Sequence, residues 1–162
     1  MSQQSRRALR DVFGFPAFRG RQEAVVDHVA DGKDALVVMA TGAGKSLCYQ
    51  LPAVLRTGIA VVVSPLIALM HDQVQALRAR GVRAAFLNSS LSMEEARQVK
   101  TAMRAGEVDL IYVAPERLAM EGGLRLFSQV PLALVAVDEA HCISHWGHDF
   151  RPDYLQLSVL RQ

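Results

Sequence analysis

The chain has 162 residues, 51% of them hydrophobic, and its 18 Lys and Arg against 16 Asp and Glu leave a net charge of +2. This is enough apolar material for one compact domain with a substantial core, and too little charge imbalance to predict nucleic-acid binding by itself. Two cysteines exclude a disulfide framework, no apolar run approaches the roughly 18 residues of a membrane span, and the opening MSQQSRRALR lacks the apolar stretch of a secretory signal, so a soluble, cytoplasmic chain is expected.

Along the chain, RQEAVVDHVADG (21–32) has a helical pattern closed by Gly32. A first strand is expected at ALVVM (35–39), running into MATGAGKS (39–46) and a helix that begins LCYQLP. Further strands are expected at 59–63 (IAVVV), 84–87 (AAFL), 110–114 (LIYVA) and 132–137 (LALVAV), whose continuous apolarity predicts burial on both faces. Between them, Leu66, Leu69, Met70, Val74 and Leu77 mark one face of a helix stopped by Gly81, and Ser92 with Glu95 forms a capping-box pattern for a helix ending at Gly106. No repeat, low-complexity stretch or linker interrupts residues 1–162. Strand-helix alternation of this kind predicts an α/β domain, a mainly parallel sheet flanked by helices on both faces, with ligands at the carboxyl ends of the strands.

The strongest chemical signal is Thr41-Gly42-Ala43-Gly44-Lys45-Ser46 between the first strand and the helix. Gly42 and Gly44 let backbone amides turn around phosphate oxygens, Lys45 adds charge at the β and γ positions of ATP, and Ser46 can ligate Mg²⁺. Met39 stands where the longer form of this loop has its first glycine. At the end of the last strand, VDEAH (137–141) presents two adjacent carboxylates: Asp138 for Mg²⁺, and Glu139 to orient or deprotonate an attacking water.

Directly behind stands HCISHWGHDFRPDY (141–154). A metal site of His141, Cys142, His145 and His148 lacks the separated ligand pairs of structural zinc and the His-Glu-x-x-His of a metalloprotease. A buried turn around Trp146 and Phe150 is a second reading. A third is a surface that touches nucleic acid, with Trp146, Phe150 and Tyr154 as stacking faces and Arg151 and His148 for phosphates or bases.

In its order of motifs the chain resembles the first RecA-like, P-loop domain of a superfamily-2 helicase, and more narrowly that of the RecQ-family DNA helicases, from about Leu9 to Tyr154. FGFPAFRGRQ, MATGAGKSLCYQLP, VVVSPLIALMHDQV, YVAPERL and VDEAHCISHWGHDFRPDY carry the likeness. The resemblance implies an adenine-recognition segment at 9–31, in which Gln22 and Arg19 contact the base and Phe15 stacks on it, with Phe18 as core packing. A side-chain amide holds both a donor and an acceptor for the adenine edge, and an aromatic face offers stacking.

The resemblance further implies that Ser64, Pro65, Leu66, Asn88, Ser89 and the turn 114–117 approach DNA, and that His141, Trp146, His148, Phe150 and Arg151 couple DNA binding to hydrolysis. It implies ATP and Mg²⁺ as cofactors, single-stranded or partly duplex DNA as partner, and 3′ to 5′ movement. The second RecA-like domain, with its arginine finger, and the C-terminal domains common in RecQ proteins are expected outside these residues, so unwinding by residues 1–162 alone is not expected. No membrane and no oligomer are implied; the setting would be the nucleoid of a bacterium or the nucleus of a eukaryote. Two other readings remain: a nucleotide-regulated nucleic-acid-binding module, and a DExH RNA helicase domain.

Overall fold

A computed structural model describes residues 2–40, 42–120 and 122–143. Strands β1 (Ile59–Val63), β2 (Ala84–Leu87), β3 (Leu110–Val113) and β4 (Leu132–Val137) form one all-parallel sheet in the order β2-β3-β1-β4. The alternation of side chains divides the core in two. Ala60, Val62, Leu110 and Tyr112 pack under α1 (Ser2–Asp11), α2 (Gln22–Ala30), α3 (Leu47–Leu55) and α4 (Ile67–Ala79). Val61, Val63, Ile111 and Val113 pack on the other face against α5 (Met93–Arg104) and the short helices α6 (Pro115–Ala119) and α7 (Gly123–Ser128). This is the two-faced α/β layering that the apolar runs predict.

Local chemistry explains the boundaries. Ser92 Oγ accepts from the Glu95 amide at 3.2 Å while Glu95 Oε2 accepts from the Ser92 amide at 2.7 Å, so the capping box opens α5 as its spacing predicts. Helix α1 is absent from the sequence-based expectations because its sequence is mostly polar. It is held by Leu9 and Ala8 in the core and by Ser2 and Ser5, whose hydroxyls donate to the two carboxylate oxygens of Asp27 on α2 at 2.6 and 2.5 Å.

The strand expected at 35–39 is corrected: these residues form no strand, and Leu36 and Val38 are 87% and 89% exposed. Apolarity states that a segment favours burial but does not by itself pair a strand, and residues 35–39 join neither edge of the sheet, β2 or β4. The strand expected at 110–114 ends one residue earlier, at Val113.

Gly58 sets how β1 meets β4. Its φ is 108°, and an added Cβ would lie 2.8 Å from the Pro131 carbonyl oxygen and 2.9 Å from the Ala133 nitrogen, beside the register shift between Ile59 and Ala60. Gly58→Ala is expected to destabilise the fold by about 1–3 kcal/mol through backbone strain alone. Urea unfolding reads this as a lower midpoint at unchanged slope, and an unchanged midpoint would mean that the β1–β4 junction yields freely.

Candidate functional site

Because all four strands are parallel, their carboxyl ends share one edge, which brings Ser64, Asn88, Ala114 and Asp138 to the same side of the sheet. The glycine-rich loop meets that edge at the start of α3. Gly42 and Gly44 have φ of 80° and 79°, the left-handed conformation in which glycine alone is unstrained. Lys45 and Ser46 follow, with the first amides of α3 leaving their dipole at the loop. Thr41 lies outside the described residues.

Gln22 is 4% exposed and fully engaged with this loop. Its Nε2 donates to the carbonyls of Ala43 (3.3 Å) and Gly44 (3.1 Å), and its Oε1 accepts from the Arg19 amide at 2.8 Å. A Cβ at Gly44 would displace the Gln22 side-chain amide, while the φ of 79° is what calls for glycine. Gln22 thus shapes the loop before it reads any base.

A cleft runs from Gly44 and Ser46 past Gln22 and Arg19 to Phe13 and Phe15. The segment expected at the base and the loop expected at the phosphates therefore line one cavity. Sequence reasoning missed Arg80, which ends α4 and lies over the rings of Phe13 and Phe15 at 5.8 and 5.6 Å from their centroids. Nothing in RARG separates it from any arginine near a helix end. Phe18 packs against the core, as expected.

The carboxylate pair is placed by β4. The Asp138 amide donates to the Val63 carbonyl at 2.8 Å, continuing the ladder one residue past the strand, and Asp138 Oδ1 accepts from the Glu139 amide at 3.0 Å. Glu139 has φ of 55°, the one non-glycine residue with positive φ among those described, and such strain of about 1–3 kcal/mol persists where surrounding structure enforces it. Its Oε2 lies 3.4 Å from Nδ1 of His141, in the 3₁₀ turn Ala140–Ile143. Cys142 is turned into the core, 2% exposed, which removes it from the donors of a metal cluster.

The donor set suits magnesium. The Ser46 hydroxyl and the Asp138 carboxylate are hard oxygen donors, and the Tyr49 phenol, 3.5 Å from Asp138 Oδ2, also interacts with the Ser46 side chain. One or two protein oxygens, with phosphates and water for the remainder, is how Mg²⁺ is usually held.

Of the residues expected near DNA, Ser64 and Asn88 are 2% and 1% exposed and act locally. Ser64 Oγ accepts from the Leu66 amide at 3.4 Å, and Asn88 Oδ1 accepts from the Ser90 amide at 2.8 Å, so Asn88 is a turn former. Leu66 and Ser89 are exposed. Trp146, His148, Phe150 and Arg151 lie outside the described residues. Among the described residues, no helix is long and apolar enough to cross a membrane.

Residues 19–161 match the DEAD/DEAH box helicase family. The chain is 51% identical over 153 residues to the ATP-dependent DNA helicase RecQ of Haemophilus influenzae, covering 94% of this chain and 25% of that protein. It is 46% identical over 155 residues to the probable ATP-dependent DNA helicase RecS of Bacillus subtilis, covering 95% and 31%. It is 48% identical over 164 residues to the ATP-dependent DNA helicase Q5 of Rattus norvegicus, covering 96% and 17%. The chain spans about a quarter of the length of the RecQ relative from Haemophilus influenzae.

Proposed function

We propose a function from membership: the chain belongs to the DEAD/DEAH box helicase family, and we infer that it is the first RecA-like motor domain of a RecQ-type, ATP-dependent DNA helicase moving 3′ to 5′. The observation that carries this reading is the single cleft joining Phe15, Arg19 and Gln22 to Gly44 and Ser46, with Asp138 and Glu139 at the same edge of the sheet.

In this reading the loop 41–46 cradles the phosphates with backbone amides, and Lys45 neutralises charge at the β and γ positions. Phe15 stacks on adenine while Arg19 and Gln22 border its edge. Ser46 and Asp138 would hold Mg²⁺, which supplies charge neutralisation and fixes the phosphate geometry. Glu139 takes the proton of the attacking water, and His141, at 3.4 Å from its carboxylate, connects it to the segment that follows. That segment, with Trp146, His148, Phe150 and Arg151, engages single-stranded or partly duplex DNA. A second RecA-like domain completes the cleft from the other side.

Titration with a fluorescent ATP analogue in Mg²⁺ tests the reading. The chain is expected to bind, and Lys45→Ala is expected to weaken binding by roughly ten- to a hundredfold, the loss of a charge-assisted contact with the phosphates. Equal affinity of the two proteins would take the phosphates away from this loop.

A further inference from the structure

Four side chains to which the proposed chemistry gives no role form a polar line from α4 to the carboxylate end of β4; of these, Gln50 also borders the cleft and Tyr49 also interacts with the Ser46 side chain. Gln50 Nε2 donates to Gln73 Oε1 at 2.8 Å and to the Tyr112 hydroxyl at 2.9 Å. The Tyr112 and Tyr49 hydroxyls are 3.3 Å apart, their rings packed edge to face, and the Tyr49 hydroxyl points to Asp138 Oδ2 at 3.5 Å. Tyr112 is 1% exposed and Gln50 5%. Phenylalanine would fill the same space at Tyr112 without a hydroxyl to satisfy, so packing alone does not call for this line.

The line has a direction. Tyr112 accepts from Gln50, which leaves its own proton for Tyr49; a carboxylate only accepts, so the Tyr49 proton goes to Asp138. The far end is Gln73 on α4, the helix that starts directly after Ser64, Pro65 and Leu66, the block expected to approach DNA. The last link, at 3.5 Å, stands at the outer limit of a hydrogen bond, where a shift of tenths of an ångström makes or breaks it.

We propose that Tyr49 is a positioning residue for Asp138, and that Gln73, Gln50, Tyr112 and Tyr49 transmit the placement of α4 to that carboxylate. The proposal rests on the assignment of Asp138 to the magnesium site of a nucleotide. It gives the domain a buried route from α4 to the metal carboxylate, separate from residues 141–154.

The test is a double-mutant cycle on the Mg²⁺ dependence of binding of a fluorescent ADP analogue. Tyr49→Phe is expected to raise the Mg²⁺ concentration at half-effect roughly fivefold, with metal-free nucleotide affinity and melting temperature unchanged. Gln73→Leu is expected to shift it in the same direction, and the double variant no further than Tyr49→Phe alone, because both break one line. If Tyr49→Phe lowers the melting temperature, Tyr112→Phe replaces it with the same expectation. An unchanged Mg²⁺ midpoint, a parallel fall in metal-free affinity, or shifts that multiply in the double variant would each overturn the proposal. Failure of the unaltered chain to bind nucleotide at any Mg²⁺ concentration would instead bring down the nucleotide reading, and this proposal with it.

Discussion

Glu139→Gln is expected to leave ATP bound and to stop its hydrolysis. Glutamine keeps the length of the side chain and its hydrogen-bonding capacity, so the 3.4 Å approach to His141 and the backbone at φ 55° have no steric reason to change. What is lost is the ability to take a proton. General-base catalysis contributes roughly 10²–10⁴-fold, and turnover in the domain joined to its partner domain is expected to fall by that factor. Fluorescent-nucleotide titration and single-turnover hydrolysis separate the two effects. Binding lost together with turnover would make Glu139 a structural residue, and retained turnover would move the base elsewhere.

The second large effect concerns residues 1–162 by themselves. Phosphoryl transfer in this class of site draws on a positive charge brought from across the cleft, and its absence lowers the rate by roughly 10³–10⁵-fold. Gly44 and Ser46 line the cleft, and Asp138 and Glu139, the candidate metal donor and base, stand at the carboxyl edge of the same sheet. Steady-state ATPase of the chain alone is therefore expected at background, with no response to single-stranded DNA. A second RecA-like domain, in cis or supplied in trans, is expected to restore turnover and its stimulation by single-stranded DNA. Stimulation by RNA in place of DNA would favour the RNA-helicase reading, nucleotide and DNA binding without turnover in the two-domain protein would favour the binding module, and robust DNA-stimulated turnover by the chain alone would show a complete site within these residues.

Much of this geometry was readable in advance where one residue type answers one physical need. Strands β1 and β2 coincide with apolar runs because a parallel strand covered on both faces is built of apolar residues, whereas β4 coincides with its run but is not buried on both faces as expected, with Val135 37% exposed. The capping box of α5 and the glycine pair of the phosphate loop were equally legible, since Ser92, Glu95, Gly42 and Gly44 act through local backbone geometry. What escaped depends on partners distant in sequence. Residues 35–39 have the composition of a strand without a pairing edge, and α1 is stabilised by Asp27 some 25 positions from Ser2. Gln22 also engages the carbonyls of Ala43 and Gly44, contacts invisible until the chain folds. Tyr49 and Tyr112 give no sequence signal, because a sequence shows a phenol but not the carboxylate it faces.

The order β2-β3-β1-β4 also grades the sheet by how readily its parts open. β1 is laced on both sides and separates only when the domain itself comes apart, whereas β4 is laced to β1 alone among the described residues. Asp138 and Glu139 ride on that more loosely held strand, while Lys45 and Ser46 ride on α3, whose Leu51 and Ala53 are locked into the core. The two halves of the candidate site thus differ in compliance: a stiff glycine-rich loop on one side, a soft pair of carboxylates on the other.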